Sequence, residues 1–399
     1  MASVSPQRHR GPMHRRRGTS DTAATLRAHF SDSGFTPAQA EMVGVSARRL
    51  ALATDAGTIS RLRRGLYIAV QSPASRGVDS AQDVRVQSSD VASEDTYLAV
   101  ASHRVNEFRQ RGIPAAAGDE TAASVWQLPR GAGTVPTICV PRGSPVYVGT
   151  RHGVRIREAD IDDFRRDGTP TDRAEARHVV MFRGQFVTSA LVTARDISRH
   201  LPRYQAVALF GMAQRRHAEW LLAGDERMDP GDLTEALADP GLRADVSREL
   251  CQLLQGSTRR LQWCASADPR PETYLEAISW GRFTGWGLGD MRPQAWVRGA
   301  SGRCYRVDVL IDGIAGEADG AVKYSRDNVL WKEKLRQEDI ENGGTPVVRW
   351  TYAEAEHRPD LLRERWRRAL RRPAASRPTV IHAKGAVDVD NGRCADRRG

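Results

Sequence analysis

Asp312-Gly313 stands between two short apolar runs, YRVDVLI at 305–311 and IAGEAD at 314–319, and no other stretch constrains the fold as tightly. An Asp-Gly pair in that setting favours a two-residue hairpin, because both central residues must adopt positive φ. With Ile311 facing Ile314, Asp308 falls opposite Glu317 and Arg306 opposite Asp319. Strand alternation places Arg306, Asp308, Leu310, Ala315, Glu317 and Asp319 on one face. Val307, Val309, Ile311, Ile314, Gly316 and Ala318 then form the other, buried face.

Directly opposed side chains have Cβ atoms about 4.5–5.5 Å apart, and like charges there destabilise a hairpin. A hard divalent cation converts that repulsion into ligation, and carboxylate oxygens are what Mg2+ prefers. Water kept on such a metal is available as a nucleophile. Two other readings of the pair stay open: a solvated hairpin face, or two carboxylates sharing one proton. Acid pairs also serve glycoside hydrolysis, but a pair this close in a basic chain suits phosphodiesters better.

The basic balance is 60 Lys and Arg against 49 Asp and Glu, a net charge of +11, which favours an anionic partner such as nucleic acid. A length of 399 residues predicts two or three domains, and 40% hydrophobic residues suffice for buried cores. Five dispersed cysteines without a Cys-x-x-Cys pair predict a reducing, cytoplasmic chain with no zinc site and no disulfide framework. No apolar stretch approaches the length of a membrane span, and the Arg-rich N-terminus lacks an apolar signal core.

Along the chain, residues 1–20 carry Arg8, Arg10 and Arg15 to Arg17 without an acidic residue, and predict a disordered tail or phosphate-binding arm. Residues 21–70 read as a winged helix-turn-helix. Thr36 and Pro37 open one helix that Gly44 ends, Ser46 caps a second that closes at Gly57, and "TISRLRRGLYIAV" turns at Arg64-Gly65 as a hairpin. In that plan Ser46, Arg48 and Arg49 face DNA bases or phosphates, while Arg61, Arg63 and Arg64 track the backbone. A protein-binding winged helix with a solvated basic wing is the alternative. A Ser-rich linker follows at 71–95, then an α+β middle domain at 96–250. The order helix, three strands, helix, strand spans 262–372, and 373–399 reads as a disordered tail.

Two resemblances attach to these residues. The segment "LE…YRVDVLI…GEADGAVKY…WKEKLRQEDIENGGTPVVRWTY" resembles the uncharacterised domain related to very-short-patch-repair endonucleases, within the PD-(D/E)XK nucleases. The resemblance implies a C-terminal restriction-endonuclease-like αβββαβ core using Mg2+. It implies a helix carboxylate at Glu276, metal ligands at Asp308 and Glu317 helped by the Ala318 carbonyl, and a third acidic position at Asp319. The third motif residue is Asp319 where that superfamily has Lys. Lys323, or Lys332 or Lys334 on the next helix, would then supply the positive charge. Trp280 stands where related sequences carry Arg, and Ala318 where they carry an aromatic residue.

The segment "FTPAQAEMVGVSARRLALATDAGTISRLRRGLYIAV" resembles the N-terminal domain of AbiEi-type antitoxins of abortive-infection, type IV toxin–antitoxin systems. The middle region follows those proteins more loosely. This resemblance implies autoregulatory DNA binding and a cognate toxin as partner. Together the two predict a multidomain α/β regulator fused to an endonuclease-like domain; the alternative is a regulator whose nuclease fold is inert.

Overall fold

The computed structural model describes residues 12–30, 34–63, 66–69, 88–129, 135–151, 153–159, 178–320 and 327–371, with three two-residue strands between 380 and 394. Arg64, Lys323 and most of the expected linker lie outside the described residues, as do the side chains of Arg63 and Lys332. The chain divides into two compact units whose main boundary falls between Thr188 and Ser189. The middle region expected at 96–250 is therefore split, and its last helices belong with the C-terminal unit.

The first unit opens with α1 (Pro12–Phe30), which starts inside the segment expected to be a disordered tail. Arginine is a good helix former, and a proline suits the first helical turn. α2 (Pro37–Met42) carries a capping box in which Thr36 and Gln39 bond reciprocally. Gly44, at φ 82°, makes the turn into α3 (Ala47–Asp55). The hairpin β1 (Ile59–Arg63) and β2 (Leu66–Ala69) follows, with Ile59 opposite Ala69. Leu26, Phe35, Val45, Leu50, Ala53 and Ile59 pack into one core, so the helix–turn–helix and its hairpin form a single body.

The rest of this unit comprises α4 (Ser88–Gln110), β3 (Ala116–Ala117), α5 (Asp119–Trp126), β4 (Thr137–Pro141), β5 (Gly149–Arg151), β6 (Val154–Ala159), β7 (Val179–Phe182) and β8 (Gln185–Thr188). Its strands form a mixed sheet in the order β5-β6-β4-β3-β8-β7. α4 begins inside the expected linker, and its Val105 and Phe108 pack on Ile138, Val140 and Ile156 of the sheet.

The second unit begins with α6 (Ala190–Ile197), α7 (Arg203–Ala223), α8 (Pro230–Ala236), α9 (Pro240–Leu253) and α10 (Thr258–Cys264). Then come α11 (Tyr274–Trp286), β9 (Met291–Arg298), β10 (Cys304–Ile311), β11 (Ile314–Asp319), α12 (Asp327–Asn342), β12 (Val347–Thr351), α13 (Tyr352–His357) and α14 (Pro359–Leu370). α7 lies directly on α11. A Cβ on Gly281 would sit 2.2 Å from the Tyr204 carbonyl oxygen, and one on Gly211 would sit 2.4 Å from that of Asp268. Only glycine permits such approach.

The sheet order is β12-β11-β10-β9, with β13 (Val380–Ile381) on the outer edge of β9. Turn chemistry fixes the central hairpin. Asp312 and Gly313 have φ 46° and 85°, and Ile311, Leu310 and Val309 pair with Ile314, Ala315 and Gly316. The expected single buried face needs correction, because both faces are covered. Val309, Ile311 and Ile314 pack with Phe283, Trp350 and Trp366. Val307, Leu310 and Ala315 pack with Val297 and with Ile340 of α12. Val307 therefore lies on the face opposite Val309, and alternation breaks at Asp308. On the neighbouring strand Gln294 adopts φ 52° at the same level, and the ladder omits the Asp308–Gln294 pair while keeping its register on either side.

Cys304 is disulfide-bonded, while Cys139, Cys251 and Cys264 are free. Dispersed spacing in sequence conceals a pairing that only the folded chain creates. Among the described residues no helix is long and apolar enough to cross a membrane.

Candidate functional site

Two groups of residues in different units deserve a chemical account. The first is a carboxylate centre built from α11, β10 and β11. Thr273 caps α11, its hydroxyl accepting the Glu276 N–H at 3.2 Å and donating to Glu276 Oε1 at 2.7 Å. The other oxygen, Oε2, accepts the Glu272 N–H at 2.9 Å and the Gln294 side-chain amide at 2.7 Å. Glu276 is thus an internal cap as well as a site residue. Burial, then the charge of Asp308, pushes its pKa up to about 8.

Asp308 sits where alternation breaks, and its Oδ2 accepts the Ala318 N–H at 2.7 Å. Glu317 is 8% exposed on the α12 side of β11. Burial, then Asp308, raises its pKa to about 7, against the opposing pull of Arg336. Arg336 on α12 donates through Nη2 to Glu317 Oε1 at 2.9 Å and to the Arg306 carbonyl at 2.7 Å. Its Nη1 reaches Glu333 Oε1 at 3.3 Å. Pro271, Glu276, Ser279, Trp280, Pro293 and Asp308 line part of a narrow pocket with room for about one water.

Several sequence expectations change here. Arg306 pairs with Glu272 at 2.8 Å and not with Asp319. The partner of Asp319 is Arg349 of β12, at 3.4 Å, because the parallel neighbour β12 lies beside β11 at that height. Lys334 is exposed and pairs with Glu338 at 3.8 Å, the solvated helix face that charge spacing alone predicts. The cation beside Glu317 is Arg336, which charge spacing alone groups with Lys332 and Lys334 on an exposed helix face. The signal was present, since Glu333, Arg336 and Ile340 share one helix face, and Ile340 is apolar enough to mark it as inward. Trp280, in the expected Arg position, donates Nε1–H to the Ser266 carbonyl at 2.8 Å and closes a wall of the pocket.

Mg2+ keeps several waters and binds through one or two carboxylates, which matches Asp308 and Glu317. Their mutual repulsion is what such a cation relieves, so the donor set fits. Among the described residues no group of three or more His, Cys, Asp or Glu side chains is placed to hold a metal ion, so the fit rests on these two.

The second group lies on α3 and its hairpin. Ser46, Arg48, Arg49 and Arg61 are all exposed. Ser46 Oγ accepts the Arg49 N–H at 3.4 Å as the helix N-cap, which orients the first turn of α3. The backbone of Arg63 pairs with Leu66.

Residues 25–70 match the family model "Transcriptional regulator, AbiEi antitoxin". The match spans the end of α1, the helix–turn–helix and the hairpin, so this AbiEi-type segment includes the α3 surface. No curated protein matches the chain. Among solved structures, the crystal structure of the RV2827C protein from Mycobacterium tuberculosis is similar at 14% identity, covering 68% of this chain and 82% of that one. Its TM-score of 0.24 is too low to transfer a fold.

Proposed function

We propose that this chain is an AbiEi-type DNA-binding regulator whose C-terminal unit carries a Mg2+-dependent phosphodiester-cleaving centre of the PD-(D/E)XK type. The observation that carries the reading is the convergence of Glu276, Asp308 and Glu317 from α11, β10 and β11, in a chain of net charge +11. Such mutual repulsion costs stability, and sites that keep it are disproportionately functional. The order helix, three strands, helix, strand around these residues supports the same reading.

Asp308, Glu317 and the Ala318 carbonyl would hold Mg2+, which when bound supplies a Lewis acid for the phosphoryl oxygen and an acidified water. Glu276, held by Thr273 and Gln294, orients water at the pocket wall. Arg336, bonded to Glu317, supplies a positive charge in place of the missing motif lysine and steadies negative charge developing on phosphate. Lys323 remains the second source of that charge. The AbiEi-type segment docks duplex DNA through α3, and a cognate toxin is the protein partner such a segment favours.

A second reading keeps the regulator and retires the chemistry. It is favoured by Arg336 and Arg349, which already neutralise Glu317 and Asp319. Incubation of the full chain with supercoiled and single-stranded DNA in Mg2+ or Mn2+ separates the two. Nicking by the wild type that is lost in Asp308→Asn and Glu317→Gln supports the enzyme. DNA binding without cleavage under either metal leaves a regulator with an inert fold.

A further inference from the structure

The exposed face of α3 is not uniformly basic. Arg48, Ala51, Leu52 and Asp55 follow one another at three- and four-residue spacing, so they share one stripe. Leu50 and Ala53 occupy the opposite, buried side. Leu52 is 44% exposed, and beside Ala51 it forms an apolar centre between Arg48 and Arg49 on one side and Asp55 on the other. An apolar centre flanked on one side by cations suits the major groove, where phosphates flank base edges and only thymine presents a methyl group. Asp55 repels phosphate, which confines DNA contact to the first two turns of α3.

We propose that Leu52, with Ala51 beside it, reads the 5-methyl group of thymine, while Arg48 contacts the neighbouring guanine or phosphate. The inference rests on the DNA-binding reading above and adds the base that is recognised. Nothing in it depends on the carboxylate centre.

The test uses the full-length protein and duplexes selected from a random pool by binding. Each thymine of a selected site is replaced in turn by deoxyuridine, which lacks only the methyl group. One or two replacements should weaken binding ~4-fold, the value of one buried methyl-sized group. The same replacements should leave Leu52→Ala unchanged, with its salt dependence equal to wild type because no phosphate contact is lost. Leu52 is exposed, so the variant should fold normally, which its circular dichroism and unfolding midpoint establish.

A wild type indifferent to deoxyuridine at every position overturns thymine reading and leaves DNA binding standing. Sensitivity retained in Leu52→Ala overturns the assignment to this residue. An unchanged DNA affinity in Leu52→Ala together with altered self-association on a sizing column assigns the patch to a protein contact and overturns it as well. Failure of the wild type to enrich any duplex refutes DNA binding itself, and thymine reading with it.

Discussion

Gly316→Ala adds one methyl group at the tightest point of the C-terminal core. Its Cβ would sit 2.7 Å from Val309 Cγ1 and 2.8 Å from ring carbons of both Trp350 and Trp366. Carbon atoms prefer a separation of about 3.5–4.0 Å, so the methyl intrudes by roughly 0.7–1.3 Å on three neighbours at once. Neither indole can retreat. Trp350 and Trp366 are 2% and 0% exposed, and Trp350 Nε1 is tied to Ser279 Oγ at 2.7 Å.

Gly316 is not among the positive-φ glycines, so the backbone itself accepts alanine. Overpacking costs about 1–3 kcal/mol, and replacing glycine in the unfolded chain returns about 0.4–1 kcal/mol. The net expectation is a loss of ~2 kcal/mol. Trp366→Phe in the same chain removes the ring carbon involved, so the double variant should show a favourable coupling of ~1 kcal/mol. Urea unfolding followed by far-ultraviolet circular dichroism measures both, because the signal does not depend on the altered tryptophan. A wild-type midpoint for Gly316→Ala, or strict additivity in the double variant, would refute the packing argument.

Three further outcomes are expected. Glu276 keeps its proton to about 8 in the folded chain against 4.5 for the free side chain, so its stabilisation is fully present below pH 4.5 and lost as pH rises towards 8. Glu276→Gln should flatten that decline in urea midpoints taken across the range, and an unchanged slope would assign it elsewhere. Arg336→Met leaves Glu317 buried without its guanidinium, and Arg336 is itself only 25% exposed. The expected loss is about 3 kcal/mol near pH 8, largely recovered when Glu317→Gln is added; additive losses would show that the pair is not coupled. Thr273→Ala removes the hydroxyl that caps α11 and should cost ~1 kcal/mol, with Thr273→Ser close to wild type.

The local signals in the sequence were legible because short-range chemistry decides them. Asp312-Gly313 set the hairpin register, and Thr36, Gly44 and Ser46 set the helix–turn–helix. What the sequence concealed depends on neighbours distant in the chain. Arg349 instead of Arg306 faces Asp319 because β12 lies beside β11. Val307 changes face beside a break in the ladder where Gln294, on another strand, takes a left-handed conformation. Arg336 was hidden by its own neighbour. An i,i+3 pair with Glu333 looks the same on a solvated helix as on one turned towards Glu317. The start of α1 at Pro12 shows the limit of composition, since an arginine-rich stretch reads equally as a solvated tail or as a helix.

The glycine contacts between α7 and α11 also bear on how a chain like this is assembled by gene fusion. A recombination junction between Arg203 and Trp286 would separate α7 from a helix it meets backbone to side at Gly281, and from the loop carbonyl of Asp268 that Gly211 accommodates. Any larger residue arriving at either position from another lineage would drive its Cβ into a carbonyl oxygen. A junction between α7 and the strand-rich core with Asp308 and Glu317 is tolerated only where both positions stay glycine. Without them, exchanging residues 262–372 alone between relatives should yield chimaeras that fail to close around Glu276, however well their strands match.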